Sequence, residues 1–345
     1  MKAVKLYKAG DLRVEEIPVP EPKNNEVLVR VKAVGVCGSD IPRILYVGAH
    51  KERITVGHEF SGEIVAVGKD VESWHAGDRV VVAPLIPCYQ CASCLKGDYS
   101  LCTNYDYFGS RRDGAMAEYV VVPEANLLRL PENVSYEVGA MTDPAANAWH
   151  AIWRSKLEPG EDVVIFGVGP IGMFALQAAK IEGAKNIIAV DIVSGKLETA
   201  KKLGADYVLN SGERNVSETV LEILGKEPEL AIDFTGVPFV QAEAVKTVGR
   251  HGRVVFLGIS HKGLNLSEEQ VDKILRYELI VTGSWNSFSK PFPGREWTRS
   301  IELFAAGKLV AEPIITHRLS LDEAPEVFRK IKEGSIEYNK IMFLP

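Results

Sequence analysis

Apolar and polar residues alternate from residue 26 to 36, with Val27, Val29 and Val31 on one face and Arg30 and Lys32 on the other. A period of two predicts a partly exposed β-strand. Residues 64–67, 79–82 and 118–122 are shorter strand candidates, bounded by Gly57, Gly62, Gly68 and Gly77. The pattern changes near Ala145. A helical stretch runs to Ser155, and after Pro159-Gly160 comes D-V-V-I-F-G. Such a short, wholly apolar run fits a strand buried on both faces of a parallel sheet. Strands at 186–191, 207–209, 230–234 and 253–257 follow, separated by helices that include 171–182 and 196–203. Strand–helix alternation at this pitch predicts an α/β fold with a doubly wound parallel sheet. From Trp285 onward there is an irregular Pro/Gly segment, a helix at 297–306, a strand at 314–319, a second helix and a closing strand at 340–344. That is too little for a separate core. The expected organisation is a β-rich domain over 1–148 and 285–345, with the doubly wound domain over 149–284.

Composition changes this picture little. The 345 residues exceed what one compact core holds comfortably. A net charge of −6 with no basic block argues against nucleic acid or acidic membranes as partners. No apolar run approaches the ~20 residues of a membrane helix. M-K-A-V-K-L-Y reads as a strand rather than a secretory signal, so the expected compartment is the cytoplasm.

The five cysteines divide into four and one. Cys88, Cys91, Cys94 and Cys102 form C-x-x-C-x-x-C and then a gap of seven residues. Four thiolates from one tight lobe (88–102) suit tetrahedral Zn2+, and four protein ligands leave no open position, so this metal is expected to be structural. A bacterial iron–sulfur pattern would want three residues before the last cysteine and a proline after it. Disulfides are disfavoured in the expected compartment. The fifth, Cys37 in V-C-G-S-D, joins His58 in G-H-E-F-S-G as a thiolate–imidazole pair. The pair alone is a weak signal for a catalytic zinc, which needs a third protein ligand and an open site.

Gly167-Val168-Gly169-Pro170-Ile171-Gly172 is G-x-G-x-x-G. It follows the apolar strand and opens a helix, and Asp191 comes nineteen residues after Gly172. In that context the first glycine makes the tight turn, the second admits a pyrophosphate and the third lets the helix pack on the strand. The helix N-terminus favours the anion. Asp191 would accept hydrogen bonds from a ribose and repel a 2′-phosphate, which predicts NAD rather than NADP.

Together with D-G-A-M-A-E-Y at 113–119, these motifs resemble the zinc-dependent medium-chain dehydrogenase/reductase family over essentially the whole chain. The resemblance implies a GroES-like β-rich domain completed by the last residues, a Rossmann domain, an active site in the cleft between them, and a homodimer or homotetramer. It implies Cys37 and His58 as catalytic zinc ligands and Glu59 as a neighbouring carboxylate that can reach the metal. Asp143 stands where the polyol branch has a glutamate ligand, and it is one methylene shorter. Ser39 matches the hydroxyl that bonds the substrate alcohol. Pro42 stands where many relatives carry a relay histidine. Lys196 matches a residue at the adenosine ribose.

The implied activity is NAD-linked, zinc-assisted oxidation of a secondary alcohol. The stretch C-G-S-D-I-P-R-I, the pair Arg111-Arg112 and P-F-P-G-R-E-W (291–297) resemble the polyol-phosphate dehydrogenases of that family, and the resemblance implies a polyol phosphate as substrate. Arginine is suited to fix its phosphate bidentately, and Arg43, Arg111 and Arg112 are the candidates. Two alternatives stand beside this: an unphosphorylated polyol or diol on the same scaffold, and a zinc-lobe binding module, which the acidic balance opposes.

Overall fold

The computed structural model describes all residues from Met1 to Pro345. They divide into two compact units, Met1–Asp143 with Ser287–Pro345, and Pro144–Asn286. The division falls inside the helix Thr142–Ser155.

The first unit is built on a seven-stranded sheet. Its path runs Leu127–Arg129, Arg79–Val82, Glu59–Val67, Glu26–Gly35, Lys340–Phe343 and Ile315–Leu319, and Tyr119–Pro123 also pairs with Glu26–Gly35. The alternation read at residue 26 is realised in the strand Glu26–Gly35. Val27, Val29 and Val31 are fully or almost fully buried, and Arg30 faces out. They pack with Phe60, Ile64, Val80, Phe108 and Phe343 in one core. The strand Lys340–Phe343 is buried along its whole length and lies between Glu26–Gly35 and Ile315–Leu319. Three further strands, Lys2–Lys8, Asp11–Glu16 and Ile54–Thr55, form a separate small sheet.

The second unit holds a six-stranded sheet in the order Tyr207–Asn210, Asn186–Asp191, Asp162–Phe166, Leu230–Asp233, Arg253–Phe256, Ile280–Gly283, parallel throughout. Asp162–Phe166 is central and buried at every position. This is why its sequence is an unbroken apolar run instead of an alternation. Chain order reverses between Asp162–Phe166 and Leu230–Asp233, and the carboxyl ends of the strands at such a switch point are where open α/β sheets bind ligands. No helix is long and apolar enough to cross a membrane.

Candidate metal and nucleotide sites

Cys37 follows the strand Glu26–Gly35, and His58 immediately precedes the strand Glu59–Val67 that pairs with it. Pairing Gly35 with Glu59 therefore brings Cys37, His58 and Glu59 together. One ligand atom from each lies within 4.8 Å of the others. His58 and Glu59 are 2% exposed. The carboxylate in this cluster is Glu59, and Asp143 is not one of its three members. Asp143 nonetheless faces the site. Burial pushes its pKa up to about 7, against the pull of His58 and with a further push from Glu59.

The site is braced by residues whose part no motif disclosed. Asp40 is fully buried. Its Oδ2 accepts the Cys37 amide at 3.1 Å, and its Oδ1 accepts Arg43 at 2.8 Å and lies 3.3 Å from His58 Nδ1. Burial opposes charge on His58, but Asp40 and then Cys37 outweigh it and raise its pKa well above the imidazole range. A carboxylate on one ring nitrogen leaves the other to face a metal, a common support for ligating histidines. Lys340, 1% exposed, donates to the Val36 carbonyl at 2.9 Å and to Glu59 Oε2 at 2.5 Å. Tyr107 sets its ring edge-to-face against His58, with centroids 5.4 Å apart. Burial, then Asp143, Cys37 and Glu59, raise the Tyr107 hydroxyl pKa well above the phenol range. Ser39 is half-buried, and its side chain does not cap the short helix Asp40–Pro42.

The four remaining cysteines are all free thiols whose sulfurs lie within 4.8 Å of one another. Cys88 and Cys94 are 3.9 Å apart, far beyond a disulfide bond and close to the ~3.8 Å edge of a ZnS4 tetrahedron with 2.3 Å bonds. Backbone N–H groups of Cys94 and Thr103 lower the Cys91 pKa to about 5, while burial and the neighbouring sulfurs push Cys94 up to about 12. Crowded thiols of this kind ionise together only around a cation, so the donor set fits zinc. The lobe is fastened to the first unit's later residues. Ser100 and Phe288 exchange hydrogen bonds, and Tyr89 and Tyr99 pack edge-to-face on Phe292.

The three arginines expected at a phosphate separate. Arg43 gives one N–H to Asp40. Arg112 lies near Glu26 and Asp106, at 3.7 and 3.8 Å, and over the Phe108 ring. It lines a cavity with Lys5, Arg53 and Asp113. Arg111 stacks on Tyr105 at 4.6 Å and pairs with no carboxylate. Burial, Arg111 and Arg43 together lower the pKa of His50, so these three basic groups share one neighbourhood.

In the second unit the glycine turn has the form the motif predicts. Gly167 has φ +87°, and a Cβ there would meet Thr235 at 2.6 Å. A Cβ on Gly172 would stand 2.0 Å from the Gly167 carbonyl. Gly169 differs: its φ is −66°, and a Cβ would meet no protein atom within 4 Å. Nothing in the protein requires a glycine there, whereas a pyrophosphate approaching the N-terminus of Pro170–Ile181 would. The Asp191 carboxylate accepts N–H groups from Val168, Ile192 and Val193 at 2.8–3.0 Å. It borders a cavity of about 440 Å³ with Gly167, Ile192, Thr235 and Val237. Lys196 is half-buried in the helix Ser194–Lys202 that follows. The turn and the ribose carboxylate thus fit a dinucleotide.

Known families match both units. Residues 23–132 match the alcohol dehydrogenase GroES-like domain, and residues 170–306 match zinc-binding dehydrogenase. The chain belongs to the zinc-binding alcohol dehydrogenases. It is 41% identical to galactitol 1-phosphate 5-dehydrogenase of Escherichia coli, with all of both chains covered. It is 32% identical to sorbitol dehydrogenase of Bacillus subtilis, covering 100% of this chain and 97% of that one. The crystal structure of galactitol-1-phosphate dehydrogenase from Escherichia coli superposes with a TM-score of 0.94 at 41% identity, again over all of both chains. As a member of this family the chain is an NAD-dependent oxidoreductase acting on alcohols, with a GroES-like domain and a Rossmann domain.

Proposed function

We propose that this dehydrogenase oxidises a secondary alcohol of a polyol phosphate to a ketose phosphate, specifically galactitol 1-phosphate to tagatose 6-phosphate. The observation that carries the phosphate is the basic group beside the metal site. Arg111 has no carboxylate partner, and Arg111 and Arg43 both act on His50. Arg43 also touches Asp40, which touches His58. Arg111, a cation without an internal anion, and the N–H groups that Arg43 does not give to Asp40 suit a dianionic substrate group. The 41% identity to a galactitol 1-phosphate dehydrogenase supports the same reading.

Cys37 and His58 would hold the catalytic zinc with a carboxylate from Glu59 or Asp143, and Cys88, Cys91, Cys94 and Cys102 the structural one. When bound, zinc supplies a Lewis acid that acidifies the alcohol, and NAD supplies the hydride acceptor. Asp40 keeps His58 oriented, and Lys340 holds Glu59. Ser39 Oγ accepts the proton from the substrate hydroxyl, and because Pro42 cannot relay it, the proton leaves through water. Arg111, with the N–H groups of Arg43 not used by Asp40, would grip the phosphate away from the metal. Binding energy there aligns the reacting carbon as well as retaining the substrate.

A second reading, an unphosphorylated polyol, is favoured by the prior engagement of Arg43 with Asp40 and of Arg112 with Glu26 and Asp106. Initial rates with NAD on galactitol 1-phosphate, galactitol and sorbitol separate the two. The phosphate reading expects kcat/KM at least about tenfold higher on the phosphate, the loss of one charge-assisted contact being ~1.5–3 kcal/mol. Equal efficiency on all three would overturn it.

A further inference from the structure

The loop between the strand Tyr207–Asn210 and the helix Val216–Leu224 is braced on both sides of one residue. Before it, Asn210 accepts the Gly212 amide at 3.0 Å and donates to Glu213 at 3.0 Å. After it, the Asn215 side chain caps the helix by accepting from Ser217 and Glu218. The residue so placed is Arg214, which lines the cavity that Asp191 borders. It is exposed and has no ion pair, hydrogen bond or ring contact within the protein. Both carboxylates lining that cavity are engaged elsewhere: Asp191 by three backbone N–H groups, Glu243 by the Ser217 amide. A tightly held backbone here presents a guanidinium with no internal partner.

The other walls indicate what it meets. Ile192, Val237 and Phe239 line the same cavity and are 71%, 48% and 74% exposed. Apolar side chains left this open around a slot suit a flat, weakly polar ring. A 2′-phosphate is disfavoured beside the Asp191 carboxylate, which the three N–H groups hold in position. With the ribose at Asp191, the adenine ring is the part of the cofactor left for the apolar slot. Guanidinium groups stack on aromatic faces by cation–π attraction and are planar enough to cover one.

We propose that Arg214 stacks on the adenine ring of the bound dinucleotide and is a main determinant of cofactor affinity. The inference rests on the nucleotide reading of the second unit. Calorimetric titration of the full-length zinc-loaded protein with AMP, NADH and 2′,5′-ADP tests it, comparing wild type with Arg214→Ala. The variant removes a side chain without protein contacts, so its Tm should be unchanged. AMP and NADH should each bind about 3- to 30-fold more weakly, the range of a partly desolvated cation–π contact. Unchanged AMP affinity in the variant, with wild type binding normally, would overturn this role alone. A loss confined to 2′,5′-ADP would also overturn it and make Arg214 a phosphate ligand. A wild type that binds neither AMP nor NADH would remove the nucleotide reading and this inference with it.

Discussion

Asp40 joins three residues through one buried carboxylate: the Cys37 amide on one oxygen, Arg43 and His58 on the other. Substitution of Arg43 is therefore not a clean probe of phosphate binding. Arg43→Ala leaves the Asp40 charge undercompensated, and the penalty should lie toward the lower end of the ~3–5 kcal/mol for breaking a buried pair. Turnover should fall on galactitol 1-phosphate and sorbitol alike, in parallel assays. Arg111→Ala, with no carboxylate partner to strand, should lower kcat/KM about 10- to 150-fold on the phosphate and leave sorbitol nearly unchanged. His50 gives an independent readout. His50 is exposed, and partial desolvation with the nearby charges of Arg111 and Arg43 lowers its pKa from the imidazole value of 6.5. A dianion stabilises the charged form and raises the pKa, so phosphate binding should take up protons between the free and bound values. Calorimetry at pH 6.5 in buffers of different ionisation heat should show the uptake with galactitol 1-phosphate and none with galactitol. At the cofactor, Asp191→Ala should narrow the preference for NAD over NADP by about 2–4 kcal/mol, measured as the ratio of kcat/KM values.

The glycine turn separates a folding requirement from a binding one within six residues. Gly172→Ala forces a methyl against the Gly167 carbonyl and should sharply lower the Tm of the second unit. Gly169→Ala puts its methyl into open space and should leave the Tm unchanged while weakening NADH binding, which fluorescence titration would read. This turn was legible because strand, glycines and helix are adjacent in sequence. The strand Asn186–Asp191 was readable to the residue for a similar reason, an apolar run ending on one acid. The cysteine lobe was legible because spacing alone reports four thiols in one loop. Three residues beside the metal site were not. Tyr107 reaches His58 from a short strand 49 positions later. Lys340 is a lysine in a fully buried strand, where alternation rules expect none. Asp40 was visible in V-C-G-S-D, but its task follows from the short helix that turns Arg43 back onto it. The helix predicted from 145 begins at Thr142, which puts Asp143 in its first turn.

At the scale of the molecule, the sheet of the first unit is completed by a strand that arrives after the whole second unit. Lys340 on that strand reaches Glu59 across 281 positions of sequence. Both groups are buried, so Lys340→Met should cost about 3–5 kcal/mol of stability, and Lys340→Met with Glu59→Gln should recover part of it, by urea unfolding. The same arrangement orders events at the ribosome. Residues 144–286 emerge over about 7–29 s at ~5–20 residues per second, and they hold a complete parallel sheet. Cys37, His58 and Glu59 are synthesised first of all, yet they wait through that interval for the strand that seats Lys340. The expected order inverts the usual N-terminal-first rule: the nucleotide unit matures on the nascent chain and the metal centre is assembled last, so limited proteolysis of chains stalled before Lys340 should show residues 144–286 protected first.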